Sequence, residues 1–293
     1  MKLPSQPSKQ LLRLLDRVKT TLGTKDGENL IAFSGGVDSS LAAALVKVSF
    51  PHNSKCVIGK SRSLPLMQLD LARTVAKYID IPLIEVATGE GSSEEYLKNE
   101  GMSCYSCKSH LYSALTDVHR QMIDMAAARG GNVVMFNGTN KDDLADQTRV
   151  GLIAAKEYSV AAPLDELTKN EVRAISRELG LPNHAHAASP CLRSRLAHGV
   201  RATEDNLERI ELAEMIVREH VMLLVEHNLR VRHMPNGSAR IELDHGGLDG
   251  RAEVLPLVAE KVAALGFSGV TFQPFRSGSV AALRVGAMAA QSS

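Results

Sequence analysis

The sequence predicts an α/β protein, a doubly wound parallel sheet followed by a smaller C-terminal α+β domain. Three observations carry this. Short apolar runs of strand character alternate with stretches of helical spacing. One of those strands runs into a glycine turn that opens a helix. Beyond about residue 200 the pattern changes to helix, hairpin, helix and strand.

Leu11, Leu12, Leu15 and Val18 recur at helical spacing, and a Gly/Asp-rich turn follows over 23–27. Residues 29–33 read as a short buried strand, with a helix over 41–46 beyond the glycine turn. Further strands are expected at 56–58, 82–86 and 132–136, with helices over 68–78, 108–129 and 169–179. A long amphipathic helix fits 203–225, with Thr203 as N-cap. Residues 229–233 and 239–243 flank Pro235-Asn236-Gly237 and predict a hairpin. A helix at 252–264 and a strand at 270–273 follow, then a tail. The expected domains are 1–200, a substrate or oligomerisation domain at 201–275, and a tail at 276–293.

With 293 residues, 44% hydrophobic and 23% charged, the chain needs neither disulfides nor metals to build a core. A net charge of +1 supplies no strong field toward nucleic acid, and 4% aromatics without Trp leave few stacking platforms for RNA. Nucleic acid is therefore not an expected partner, and the chain is expected to form a homo-oligomer. Four scattered cysteines do not make a secreted scaffold, no apolar run is long enough to cross a bilayer, and the first ten residues lack a signal-peptide core. A cytoplasmic location with reduced thiols is expected.

The chemistry begins at Ser34-Gly35-Gly36-Val37-Asp38-Ser39-Ser40. Gly35 and Gly36 let backbone N–H groups surround an anion, and the following helix adds its positive end. The hydroxyls of Ser34, Ser39 and Ser40 can donate to phosphate oxygens. Asp38 would repel a phosphate directly, so its use is to hold a magnesium ion that bridges phosphates. The Gly-Lys-Ser/Thr ending of a Walker A loop is absent, which suits a loop that grasps departing pyrophosphate. The segment resembles the pyrophosphatase loop of the adenine-nucleotide α-hydrolase superfamily, which splits ATP into AMP and pyrophosphate. That superfamily includes GMP, NAD and asparagine synthetases and several tRNA thiolation enzymes.

Cys104-Tyr105-Ser106-Cys107 is a C-x-x-C at a helix start, and Cys191 lies in Ser189-Pro190-Cys191-Leu192-Arg193-Ser194-Arg195. The pair could be half of a zinc site completed by Cys191, His184, His186 or His198. It could be a redox pair, although the local pattern is wrong for a thioredoxin fold. It could also join Cys191 as three ligands of an iron–sulfur cluster with one open iron. Arg193, Arg195 and His198 stand close enough in sequence to Cys191 to lower a thiol pKa or to bind phosphate. A thiolate beside an acyl-adenylate is a ready nucleophile. Cys56 continues a buried strand and reads as core.

These motifs, with Phe136-Asn137-Gly138-Thr139-Asn140-Lys141-Asp142-Asp143, Gly151-Leu152-Ile153-Ala154-Ala155-Lys156 and the segment 163–173, together resemble the LarE family of ATP-dependent sulfur transferases. The likeness runs from about residue 28 to about residue 245. That family makes the nickel-pincer nucleotide cofactor of lactate racemase. The resemblance implies that ATP adenylates a carboxylate of a pyridinium dicarboxylate mononucleotide and that sulfur then displaces AMP to give a thiocarboxylate. The sulfur would come from Cys191, left as dehydroalanine, or from a [4Fe-4S] cluster on Cys104, Cys107 and Cys191, toward which the extra cysteines lean.

By the same resemblance, Lys108 faces the nucleotide phosphate, and Ser194 and Arg195 position substrate beside Cys191. Thr139, Asn140 and Asp142 stand where doubly wound sheets bind ligands, although a polar turn with a helix cap fits them equally. Arg230 and Arg232 alternate on a strand and so share a face. They are candidate clamps for the substrate phosphate, or else a solvated strand face. Glu211 and Glu214 read better as surface carboxylates than as metal ligands. Competing functions are a tRNA or small-molecule thiolase, an amidotransferase-type synthetase without its glutaminase, and a regulatory nucleotide-binding protein.

Overall fold

A computed structural model of the protein describes residues 1, 3–126, 132–146, 151–244, 248 and 251–276. The chain divides into two compact units. The first comprises Met1–Ser61, Leu66–Gly89 and Cys104–His186; the second comprises Arg62–Pro65, Glu90–Ser103 and the chain from Ala187 onward. This division differs from a boundary at residue 200, because residues 187–200 bond within the second unit. The Leu192 N–H donates to Ser63 O at 2.7 Å, and Arg193 donates to Asn99 Oδ1 at 2.7 Å. The expected tail, Arg276 apart, lies outside the described residues, as do positions 127–129 of the expected helix at 108–129.

The first unit holds a parallel sheet of β1 (Glu28–Ala32), β2 (Ser54–Lys60), β3 (Leu83–Ala87) and β4 (Val133–Phe136) in the order β3-β2-β1-β4. Ile31 of β1 registers with Cys56 on one side and Phe136 on the other. The strand order therefore reverses direction between β1 and β4, and ligands of open α/β sheets bind at the carboxyl ends beside such a switch. On one face, Leu30, Ala32 and Val57 pack with Tyr112, Leu115, Ala154 and Ala155. These belong to α5 (Ser103–Ala126) and α7 (Gly151–Glu157). By strand alternation Ile31 and Cys56 turn to the other face. α2 (Val37–Ser49) packs on β1 and β2, and its neighbours are α1 (Lys9–Arg17), α3 (Leu66–Ile79) and α8 (Lys169–Glu178).

α1 starts where Ser8 Oγ accepts from the Leu11 N–H, and it buries Leu11 and Leu14. A single wide turn, Val18–Leu22, closes it. Arg17 grips Asp165 with two bonds of 2.6 and 3.0 Å.

In the second unit, α4 (Glu94–Lys98) is capped by Ser93, and α9 (Glu204–Val221) starts at Thr203, whose hydroxyl accepts from the Asn206 N–H. β5 (Leu229–His233) and β6 (Ala239–Leu243) form the expected antiparallel hairpin, with Gly237 at φ +78° in its turn. α10 (Leu255–Ala263) returns the chain so that β7 (Val270–Pro274) lies parallel to β6. Ala213, Val217, Val221, Leu229, Val231, Ile241, Leu243, Val258, Val262 and Phe267 form the core between this sheet and the helices. No helix of the described residues is long and apolar enough to cross a membrane.

Ile241 is fully buried in that core. Ile241→Ala is expected to destabilise the protein by about 2–5 kcal/mol, measured as a lower denaturant midpoint at unchanged slope.

Candidate active site

The turn after β1 and the turn after β4 lie against each other in the first unit. Gly138 makes this approach attainable. A Cβ built there would sit 2.5 Å from Ser39 N and 2.6 Å from the Asp38 carbonyl carbon, so any side chain would displace the start of α2. Gly35 stands at φ +70°, in the left-handed region, with the Ala72 backbone 2.7 Å from where its Cβ would be. Both positions need glycine for steric reasons.

Within the loop, Ser34 Oγ and Ser39 Oγ are 3.0 Å apart, and Ser39 Oγ donates to Gly36 O at 3.1 Å. Gly36 N–H reaches Ser34 Oγ only at 3.4 Å, a weak bond that an anion oxygen would readily replace. Ser40 is fully buried, and its hydroxyl accepts from Asn183 Nδ2 at 2.9 Å, so here it supports the loop from beneath.

Asp38 Oδ1 accepts from Asn140 Nδ2 at 3.0 Å, and Asp38 Oδ2 is ion-paired with Lys169 Nζ. Asn140 is the helix cap that a polar turn predicts, and it also reaches Asp38. Its Oδ1 caps α6 (Lys141–Ala145) in a capping box with Asp143, while its amide nitrogen serves Asp38. Thr139 is buried, its N–H bonded to Asn137 Oδ1 at 3.0 Å. Asp142 Oδ2 accepts from the Lys169 N–H at 2.8 Å. Asp38 supplies hard oxygen ligands, and one carboxylate completed by phosphate oxygens is a donor set that suits magnesium. The cation facing Asp38 in the structure is Lys169.

Gln68 and Asn183 lie in none of the sequence motifs, and Gly138 and Lys169 lie in the segments 136–143 and 163–173 without an assigned role. A local sign existed for Lys169: Thr168 and Glu171 form a capping box, which fixes position 169 as the first residue of α8. Gln68 Nε2 donates to Ser34 O at 2.6 Å, and no local pattern announces it.

Cys104 and Cys107, both partly exposed, are three residues apart in the first turns of α5, which places them on one side of the helix. Lys108 follows, its Cγ 3.2 Å from the place of a Cβ on Gly151. Cys56 is fully buried in β2, and burial pushes its thiol well above the ordinary range, as expected of a core residue. Among the described residues, no group of three or more His, Cys, Asp or Glu is placed to hold a metal ion.

Cys191 belongs to the second unit, where it precedes a short turn, Leu192–Arg195. Guanidinium groups brace this turn through its carbonyl oxygens. Arg195 donates to Pro190 O and, at 2.9 Å, to Cys191 O. Arg230 donates to Ala188 O at 2.5 Å, and Arg232 to Ser194 O at 3.1 Å. Ser194 Oγ donates to Cys191 O at 2.7 Å.

Arg230 and Arg232 do share a face of β5, opposite Leu229 and Val231, but both are buried and neither forms a solvated strand face. Burial, reinforced by the neighbouring Arg195, pushes Arg230 down to about 10. Arg232 pairs with the fully buried Glu242 at 2.8 Å. Arg193 is buried against Asn99, so the two arginines flanking Ser194 are both engaged in buried pairs.

The reading of Glu211 and Glu214 as surface carboxylates is corrected. Both are buried, Glu211 bonded to Arg62 at 2.8 Å and Glu214 to Arg195 at 2.9 and 3.1 Å. Glu214 also accepts from the Val231 N–H at 3.1 Å. Burial alone would raise the Glu214 carboxyl, but the Arg195 guanidinium and these hydrogen bonds outweigh it and hold it below the usual carboxylate range.

The NAD synthase family model matches residues 11–208. Over 231 residues the chain is 38% identical to the Uncharacterized protein slr1717 of Synechocystis sp., covering 78% of this chain and 81% of that protein. It is 32% identical over 254 residues to the pyridinium-3,5-bisthiocarboxylic acid mononucleotide synthase of Lactiplantibacillus plantarum, covering 85% of this chain and 87% of that enzyme. The GMP synthase of Nocardia farcinica is 29% identical over 71% of the chain, which spans only 44% of that longer protein.

Gly138→Ala should lower ATP-dependent turnover about a hundredfold and lower the thermal midpoint as well, since the clash falls on backbone atoms at the start of α2. Glu214→Gln should cost about 3–5 kcal/mol by leaving Arg195 buried without its counter-charge. The folded carboxyl of Glu214 is depressed, so its contribution is full above the ordinary value near 4.5 and fades as pH falls through the lower folded value. The stability difference between wild type and Glu214→Gln should therefore shrink in acid, read from denaturation midpoints between neutral pH and pH about 3.

Proposed function

The chain belongs to the family that the NAD synthase model describes and, within it, to the LarE-type branch of ATP-dependent enzymes; on that premise we propose that it is an AMP- and pyrophosphate-forming sulfur transferase. Its substrate is a carboxylate of a pyridinium dicarboxylate mononucleotide, which it converts to a thiocarboxylate for a nickel-pincer cofactor. The observation that supports this best is the loop at residues 34–40, set at the sheet's switch point with Asp38 between Lys169 and Asn140.

In this reading a substrate carboxylate oxygen attacks the α-phosphorus of ATP and pyrophosphate departs. Magnesium, when bound, neutralises phosphate charge. Asp38 would hold it, with Lys169 released to the phosphates. Ser34, Gly35, Gly36 and Ser39 receive the leaving pyrophosphate, with Ser40 beneath them. Thr139, Asn140 and Asp142 line the adjoining turn, and Lys108 faces the nucleotide phosphate. The Cys191 thiolate then attacks the acyl carbon and AMP leaves. Cleavage of the cysteine Cβ–Sγ bond, with loss of the Cα proton, yields the thiocarboxylate and dehydroalanine. Ser194 and Arg195 orient the cysteine turn, and Arg230 and Arg232 add positive charge for the substrate phosphate.

A second reading draws on Cys104 and Cys107 standing one turn apart on α5. In it, these two and Cys191 would hold a [4Fe-4S] cluster, which would supply sulfur from an external donor. A homo-oligomer and a cytoplasmic setting complete the proposal.

Full-length protein purified without oxygen is mixed with ATP, magnesium and the pyridinium dicarboxylate mononucleotide, and pyrophosphate, AMP, product mass and intact protein mass are followed. Asp38→Asn is expected to abolish pyrophosphate release, and Cys191→Ala to keep the first release but lose the thiocarboxylate. A protein mass lower by about 34 Da after turnover identifies Cys191 as the sulfur source. Iron and sulfide lost in Cys104→Ala, with unchanged protein mass, identify the cluster. Full thiocarboxylate formation by Cys191→Ala would sink the proposal.

A further inference from the structure

Two buried carboxamides act on consecutive peptide planes of the phosphate loop. Gln68 Nε2 donates to Ser34 O at 2.6 Å, and Asn183 Nδ2 donates to Gly35 O at 2.7 Å as well as to Ser40 Oγ. Each carbonyl belongs to the same planar unit as the next residue's N–H. In a trans peptide the two groups point in opposite directions. Holding Ser34 O and Gly35 O therefore aims the N–H groups of Gly35 and Gly36 away from the carboxamides. Those are the two donors that glycine frees for an anion.

A glycine peptide left to itself flips easily, because no Cβ resists the rotation. A flipped plane would present a carbonyl oxygen where a phosphate oxygen must sit, exchanging attraction for repulsion. The clamps are built stiffly. Asn183 is fully buried, and its own carbonyl accepts from the His186 N–H. Arg173 pins the flanking His184 and His186 carbonyls at 2.7 and 2.8 Å. Gln68 is buried on α3. Asn183 Oδ1 has no hydrogen-bond partner among the described residues, so this side chain pays a desolvation cost for what its nitrogen does.

We propose that Asn183 and Gln68 are positioning residues that lock two successive peptide planes of the loop in the anion-binding orientation. This rests on the adenylation reading and names residues that set its affinity for the leaving group. The lock acts on the pyrophosphate end of the nucleotide, so its loss should separate pyrophosphate from AMP.

The test is titration calorimetry on the full chain with magnesium pyrophosphate and, separately, AMP. Asn183→Leu and Gln68→Leu are each expected to weaken pyrophosphate about tenfold, from the hydrogen bonds lost. The double variant should weaken it further, with AMP held within about twofold throughout. Asn183→Asp, which keeps the shape but sets a carboxylate against Gly35 O, should weaken pyrophosphate at least as much. If Asn183→Leu does not fold, Asn183→Ser, which retains a shorter donor, is measured with the same ligand pair and should show an intermediate loss. Unchanged pyrophosphate affinity, or pyrophosphate and AMP falling together with the thermal midpoint, overturns the lock. A wild-type chain that binds neither ligand overturns the adenylation reading instead.

Discussion

The first unit depends on how closely two turns can approach. Where β1 ends and α2 begins, the backbone of Asp38 and Ser39 lies against Gly138, at a separation that excludes even one methyl group. That contact joins the turn after β1 to the turn after β4. It brings Asn140 within bonding distance of Asp38, although the two are 102 positions apart in the chain. With Asn140 and Lys169 both on Asp38, the carboxylate is held in a fixed orientation. The glycine loop, the helix start and the acid thus form one preorganised surface.

The second unit solves a different problem with similar economy. Its cysteine turn has few apolar residues of its own, so arginines buried in pairs hold it by its carbonyl oxygens. Burying so many guanidinium groups is costly unless each finds a carboxylate or carbonyl partner. Glu214 and Glu242 supply the carboxylates, and the turn itself supplies the carbonyls. The same groups therefore satisfy the arginines and shape the turn.

What could be read from the chain beforehand followed the range of the interactions. The strand, glycine loop and helix at 29–46, the Asn236-Gly237 hairpin and the Thr203 cap are local patterns, and each appears within a few residues of its expected place. Lys169 meets Asp38 across 131 positions and Asn183 meets Gly35 across 148, with no local periodicity to announce either pairing. Glu211 and Glu214 misled for the same reason. Two acids one helical turn apart look like a wetted face until Arg62, 149 positions away from Glu211, is seen to lie on it. The alternation of Arg230 and Arg232 gave their common face correctly and could not show that the face is buried.

The bracing of the cysteine turn bears on what becomes of the protein after it has acted. Arg195, Arg230, Arg232 and Ser194 all grip main-chain oxygens, and none of these bonds ends on the sulfur of Cys191. A side chain that gave up its sulfur would leave that scaffold of oxygens in place. The spent molecule would then keep its shape, indistinguishable from fresh protein to any quality-control system that recognises unfolding. Its disposal or repair would have to read the altered residue itself.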